Sequence, residues 1–175
     1  MTRQIAILCS LWTTLTYADP KTLDIKEAVK PVEGTAAGKA WVPGKVRFVG
    51  DDQGWMLKIE EGQGGGGANQ MWLPIGKELP AAKKTLSRAD AAGICMTDGG
   101  LVQVAGSNQG TAGCTFIIEI TKWPAKKPGP TGEQQLGLAS GRVVAEARSV
   151  ANRTKLVETV VGTFKDVPVV YYGAE

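Results

Sequence analysis

From residue 39 to residue 172 the chain is a succession of short runs rich in β-branched and aromatic residues, each cut off by Gly, Asp, Asn or Pro. Runs of this length hold a strand and cut short a helix, which needs ten or more residues of sustained 3.6 periodicity. Residues 45–49 and 55–60 alternate apolar with polar side chains around Asp51-Asp52-Gln53-Gly54, where Gly54 suits the positive φ of a tight turn; this predicts a hairpin. Residues 71–75 form a short apolar strand, and Pro74 assigns it to a sheet edge. Residues 94–97 and 101–105, around Asp98-Gly99-Gly100, predict a second hairpin. Residues 114–120 make the strongest strand. Residues 142–150 and 156–164, around Asn152-Arg153, predict a third hairpin, and residues 167–172 close the sheet. Val143, Ala147, Val150 and Ala151 also share a helical face, but the turn and the β-branched run that follow favour strand.

The connecting segments read differently. Residues 123–141, proline-rich and then glycine-spaced, are expected to be loop, and residues 34–38 a flexible joint. One short helix is expected within residues 19–32, where Pro20 suits a first turn and Pro31 ends it, and one or two helical turns at residues 87–92. The expected fold is therefore mainly β: an antiparallel sandwich or barrel of about eight short strands and hairpins, with at most one or two short helices. The abundance of turn formers, 23 Gly and 9 Pro in 175 residues, agrees with this.

Composition excludes several function classes. The chain has no histidine, so no Ser-His-Asp triad, Cys-His dyad or histidine-ligated zinc can form within it; no metal and no cofactor are expected. A net charge of +3 without a dense basic run does not predict nucleic-acid binding. The nearest basic stretch, Lys122, Trp123, Lys126 and Lys127, is interrupted by Pro124, Pro128 and Pro130 and reads as a solvated loop.

Residues 1–18 have the tripartite pattern of a secretory signal peptide: Arg3 near the start, an apolar stretch from Ile5 to Trp12, and Thr16-Tyr17-Ala18 before a cut at Asp19. The stretch is too short for a transmembrane helix, which needs about 20 residues, and the rest of the chain holds no spanning candidate. Leu8 before Cys9 argues against lipid attachment. The expected organisation is a signal peptide at 1–18, an N-terminal arm at 19–38 and one β-rich domain at 39–175, exported to periplasm, cell surface or extracellular space. Removal of residues 1–18 leaves Cys95 and Cys114, an even pair expected to form a disulfide. Closing a loop of that length stabilises by about 3 kcal/mol.

Candidate sites are few. The run Gly64-Gly65-Gly66-Gly67 lacks the Lys-Ser or Lys-Thr pair of a phosphate loop and reads as a hairpin loop. Asp51, Asp52, Glu60 and Glu61 lack calcium-loop spacing and read as turn and edge residues. Asn152-Arg153-Thr154 is a glycosylation sequon on an expected hairpin tip. The most suggestive set is aromatic: Trp41, Trp55, Trp72, Trp123, Tyr171 and Tyr172, which on a small sheet cannot all be buried on one side. Exposed members would stack on a glycan or anchor a protein partner, including a second copy of the chain. The expected function is an exported, non-catalytic binding or structural module of a cell envelope or surface assembly. The first alternative is a structural protein of a virus particle, such as a capsid-decorating or tail component. The second is a small secreted hydrolase using carboxylates.

Overall fold

The first expected hairpin is present as β3 (Pro43–Gly50) and β4 (Trp55–Glu61), joined by the turn at Asp51, whose Oδ1 accepts from the backbone N of Gln53 and Gly54 at 2.9 and 3.0 Å. A computed structural model of the chain describes residues 23–36, 38–62, 69–88, 102–103, 112–149 and 156–174. The remaining strands in chain order are β1 (Glu33–Ala36), β2 (Lys39–Trp41), β5 (Gln70–Gly76), β6 (Lys84–Arg88), β7 (Val102–Gln103), β8 (Ala112–Lys122), β9 (Glu133–Ser149) and β10 (Leu156–Tyr172). The protein is mainly β, and among the described residues the one helical element is a single 3₁₀ turn, Ile25–Glu27.

All ten strands among the described residues belong to one sheet, ordered β6-β8-β9-β10-β3-β4-β5-β7, with β1 on β10 and β2 on β1. The strand β10 is a fork. It pairs with β9 along its length, while its other edge meets β1 at Glu158–Val161 and β3 at Val169–Tyr171. Residues 77–83 connect β5, near one margin, to β6 at the other. That link reaches roughly 25 Å at most, so the margins come back toward each other and the sheet is a curled, open half-barrel.

Strand alternation sorts the side chains. Trp55, Leu57 and Ile59 of β4 point inward with Met71 and Leu73 of β5, and Phe48, Ile118, Ile120, Val143, Val160 and Val169 join them in a nearly water-free core. A second, smaller layer lies outside this cluster: the 3₁₀ turn packs against β8 and β9, and Ala28 and Val144 are buried there.

Six sequence expectations are corrected. Of the helix expected within 19–32, the described residues 23–32 hold a single turn capped by Asp24, because Lys30 and Val32 instead exchange backbone hydrogen bonds with Thr163 of β10. The joint at 34–38 is largely the β1–β2 hairpin, Ala36 opposite Lys39, with Gly38 at φ 79° in its turn. Gly34 belongs there because the Trp41 indole lies against it; a Cβ would sit 2.5 Å from Trp41 Nε1. The loop expected at 123–141 is strand from Glu133 onward: the spaced glycines mark close approach, since a Cβ on Gly137 would lie 2.9 Å from Pro124 Cβ. The two runs 156–164 and 167–172 are one strand, β10, interrupted by a bulge where Asp166 takes φ 50° and donates its N–H to Ser140 Oγ at 3.0 Å. The pairing of β10 with β3 is also parallel, where only antiparallel pairs were expected. Ser87 and Arg88, expected to start a helical turn, end strand β6, whose partner across the ladder is β8.

Gly141 offers a test of this packing. An added methyl would run into the Glu119 carbonyl oxygen of β8 and stand 2.7 Å from Phe164 Cζ. The obstacle is backbone held by the ladder, so G141A is expected to destabilise by about 1–3 kcal/mol in urea unfolding. A variant as stable as the parent would show that β8 and β9 are not this close.

Candidate functional site

The six aromatic candidates divide into three places. Trp55, Trp123 and Tyr171 gather around Phe48: ring centroids lie 4.9 Å apart for Phe48–Trp123 and 5.6 Å for Trp55–Trp123 and Trp55–Tyr171. Trp55 is buried, and Trp123 and Tyr171 are half-buried against the core. Trp41 is buried over Gly34, and Tyr172 is exposed at 41%. Trp72 and Tyr172 stand on the outer face, because Trp72 alternates with the inward Met71 and Leu73 and Tyr172 follows the core-packed Tyr171.

The surroundings of Trp72 are the most chemically distinctive part of that face. Cross-strand register sets Arg47 of β3, Lys58 of β4 and Trp72 of β5 in one row. Lys58 Nζ sits 3.7 Å from the indole centroid, a cation–π contact. Arg47 donates from Nη2 to Glu60 Oε2 at 3.3 Å, a long ion pair. Arg47 Nε and Trp72 Nε1 are buried donors without a hydrogen-bond partner among the described residues. Burial first, and then the neighbouring Arg47 charge, hold Lys58 below the ordinary lysine range. The row is flanked on one side by Lys45 and Glu60, and on the other by the apolar pair Val49–Met56.

The acidic candidates serve local structure. Asp51 caps its turn. Glu61 accepts from Asn69 N at 3.1 Å and Nδ2 at 2.7 Å, which ties the end of β4 to the start of β5. The basic stretch is likewise engaged: Lys122 pairs with Asp166 at 2.7 Å, and Lys126 donates to the Gln135 carbonyl at 3.0 Å.

One buried acid was not among the sequence candidates. Glu158 of β10 is fully buried between Ala36 of β1 and Ala147 of β9, and neither carboxyl oxygen has a hydrogen-bond partner among the described residues. Burial, reinforced by the charge of Glu61, pushes its pKa up to about 8, so the group is protonated at neutral pH. A side chain with no solvent exposure does not meet a substrate arriving from water in this conformation. The sequence carried a signal for it: Glu158, Val160 and Phe164 share one face of an alternating run.

Gly64 to Gly67, Asn152 and Cys95 lie outside the described residues, and of Cys114 the structure describes only a place in β8. Among the described residues no group of three His, Cys, Asp or Glu side chains could hold a metal ion, and no helix is long and apolar enough to cross a membrane.

These features define a mainly β domain with a cationic and aromatic row on its outer sheet face. No protein-family model, curated protein or solved structure matches the chain.

Proposed function

We propose that this chain is an exported, non-catalytic binding or structural module of a cell envelope or surface assembly, and that it works through the outer face of β3, β4 and β5. The observation that carries the reading is the Arg47–Lys58–Trp72 row, two cations and a half-buried indole aligned on the outer face. Arg and Trp are the side chains on which binding interfaces most often rest. The signal-like pattern of residues 1–18 supports export. Of the two architectures expected, a barrel-like one suits a single sheet path from β6 to β7 better than two stacked sheets do.

The test uses the native source. The mature chain should lack residues 1–18 by intact mass and should co-sediment with isolated envelopes. W72A should release it into the soluble fraction while shifting its unfolding midpoint little, because Trp72 is only half-buried. A chain that keeps residues 1–18 and stays in the cytoplasmic fraction refutes export. A W72A chain that remains on envelopes refutes this face as the binding surface.

A further inference from the structure

We infer that the β1–β2 hairpin is a strap that lifts from β10 when Glu158 ionises, a pH-sensitive device built into the sheet. It is independent of the proposed binding face.

Placement comes first. Register sets Lys39 of β2, Ala36 of β1, Glu158 of β10, Ala147 of β9 and Cys114 of β8 in one row. Glu158 is fully buried there, and neither carboxyl oxygen has a partner among the described residues. The charged groups around it do not welcome a second charge. Glu61, which continues the inward face of Trp55, Leu57 and Ile59 on β4, repels it, and its Oε2 already accepts from Asn69. Glu146 and Arg148, on either side of Ala147, pair with each other at 2.8 Å. Lys39 of β2 and Lys45 of β3 are exposed. An ionised Glu158 therefore needs water.

The shortest way in for water is under the hairpin. The strand β9 follows β10 from Leu156 to Tyr172 and is backed by β8, whereas β1 meets β10 only over Glu33–Ala36 and β2 pairs only with β1. The hairpin also carries an unsatisfied group of its own. The Trp41 indole lies over Gly34 and keeps Nε1 buried, with no acceptor among the described residues. Lifting the hairpin hydrates both groups. Burial of Ala36 and Trp41, and the Thr35–Thr159 hydroxyl hydrogen bond at 2.6 Å, hold it shut while Glu158 keeps its proton. The backbone hydrogen bonds of Lys30 and Val32 to Thr163 anchor one end, and the exposed Val42 between β2 and β3 is the hinge at the other. Opening bares the backbone edge of β10 over Glu158–Val161.

The experiment is hydrogen exchange of the full chain, read by mass spectrometry from pH 4.5 to about 9 with the intrinsic exchange rates divided out. Protection of peptides from residues 33–41 is expected to fall by up to about tenfold per pH unit between 4.5 and about 8 and to level beyond, because the open form releases a proton that the closed form holds. At each pH these peptides should be at least about tenfold less protected than peptides from residues 142–148 of β9, since the strap opens while the long ladder stays closed. E158Q should make protection of 33–41 independent of pH. E158M, apolar and of similar length, serves the same purpose if E158Q does not fold. Protection of 33–41 that does not change with pH in the parent chain overturns the inference. So does a slope that persists in E158Q or E158M. Equal protection of 33–41 and 142–148 at every pH also overturns it, because the hairpin would then leave only when the whole sheet unfolds.

Discussion

The E158Q variant is expected to be more stable than the parent chain, with a gain that grows from pH 4.5 to about pH 8 and then levels off. In the folded chain Glu158 holds its proton up to about pH 8, whereas in the unfolded chain it releases it near 4.5. Between those values the folded state binds more protons than the unfolded one, so stability falls as pH rises. The stabilising share is fully present below the unfolded pKa and is lost as pH climbs through the folded one. Each unit is worth about 1.4 kcal/mol, which puts the whole change at roughly 5 kcal/mol and the part already lost at pH 7 at roughly 3 kcal/mol. Glutamine has nearly the same shape and does not titrate, so it removes the slope and leaves the packing. Urea unfolding of both chains across this range tests it. Parallel pH profiles would mean that Glu158 is ionised, and therefore hydrated or paired, in the folded state.

Phe48→Ala should act in the opposite sense and almost as strongly. Phe48 is fully buried and touches Trp123 and Phe164 edge-on, with centroids 4.9 and 5.6 Å away. Removing the ring deletes buried surface, leaves a cavity and breaks two aromatic contacts, for about 3–5 kcal/mol. Because Trp123 also packs on Trp55, the near-ultraviolet dichroism of the tryptophans should weaken with the stability. A loss under 1 kcal/mol with unchanged dichroism would show that this cluster does not hold the end of the half-barrel. Trp72, lying outside it, is expected to separate the two roles cleanly: little stability lost, binding lost.

The hairpin of β3 and β4 was legible because its turn is short and glycine-ended. Counting outward from residues 51–54 already sets Arg47 opposite Lys58. What could not be counted was the long glycine-containing link from Glu61 to Asn69, whose length fixes no register, so the neighbour of Lys58 on β5 was hidden. The first half of the strand at Glu133–Ser149, up to Gly141, was missed for a related reason. Glycine at Gly137 and Gly141 looks like loop chemistry, yet both positions are places where another chain segment touches the strand backbone. The single continuous β10 was missed because Lys165-Asp166 resembles a turn, and only the partner strand β9 shows that the ladder resumes beyond it. Pairing between distant segments, such as β10 with β1 and β3, leaves no local trace at all. The Arg47–Lys58–Trp72 row was therefore half visible, and the aromatic residues were visible without their sorting into core and surface.

The fork at β10 sets an order of events during synthesis. Strands β1 to β5 and strands β8 and β9 meet through β10, which follows all of them along the chain. Until the ribosome has made Tyr172, the parallel seam between β10 and β3 cannot form, and the earlier hairpins stay without their shared neighbour. Until then the sheet of the nascent chain is incomplete. A translocation channel that accepts only unfolded polypeptide would find it in a suitable state, and the same delay would leave the early hairpins relying on chaperones wherever no channel takes them up.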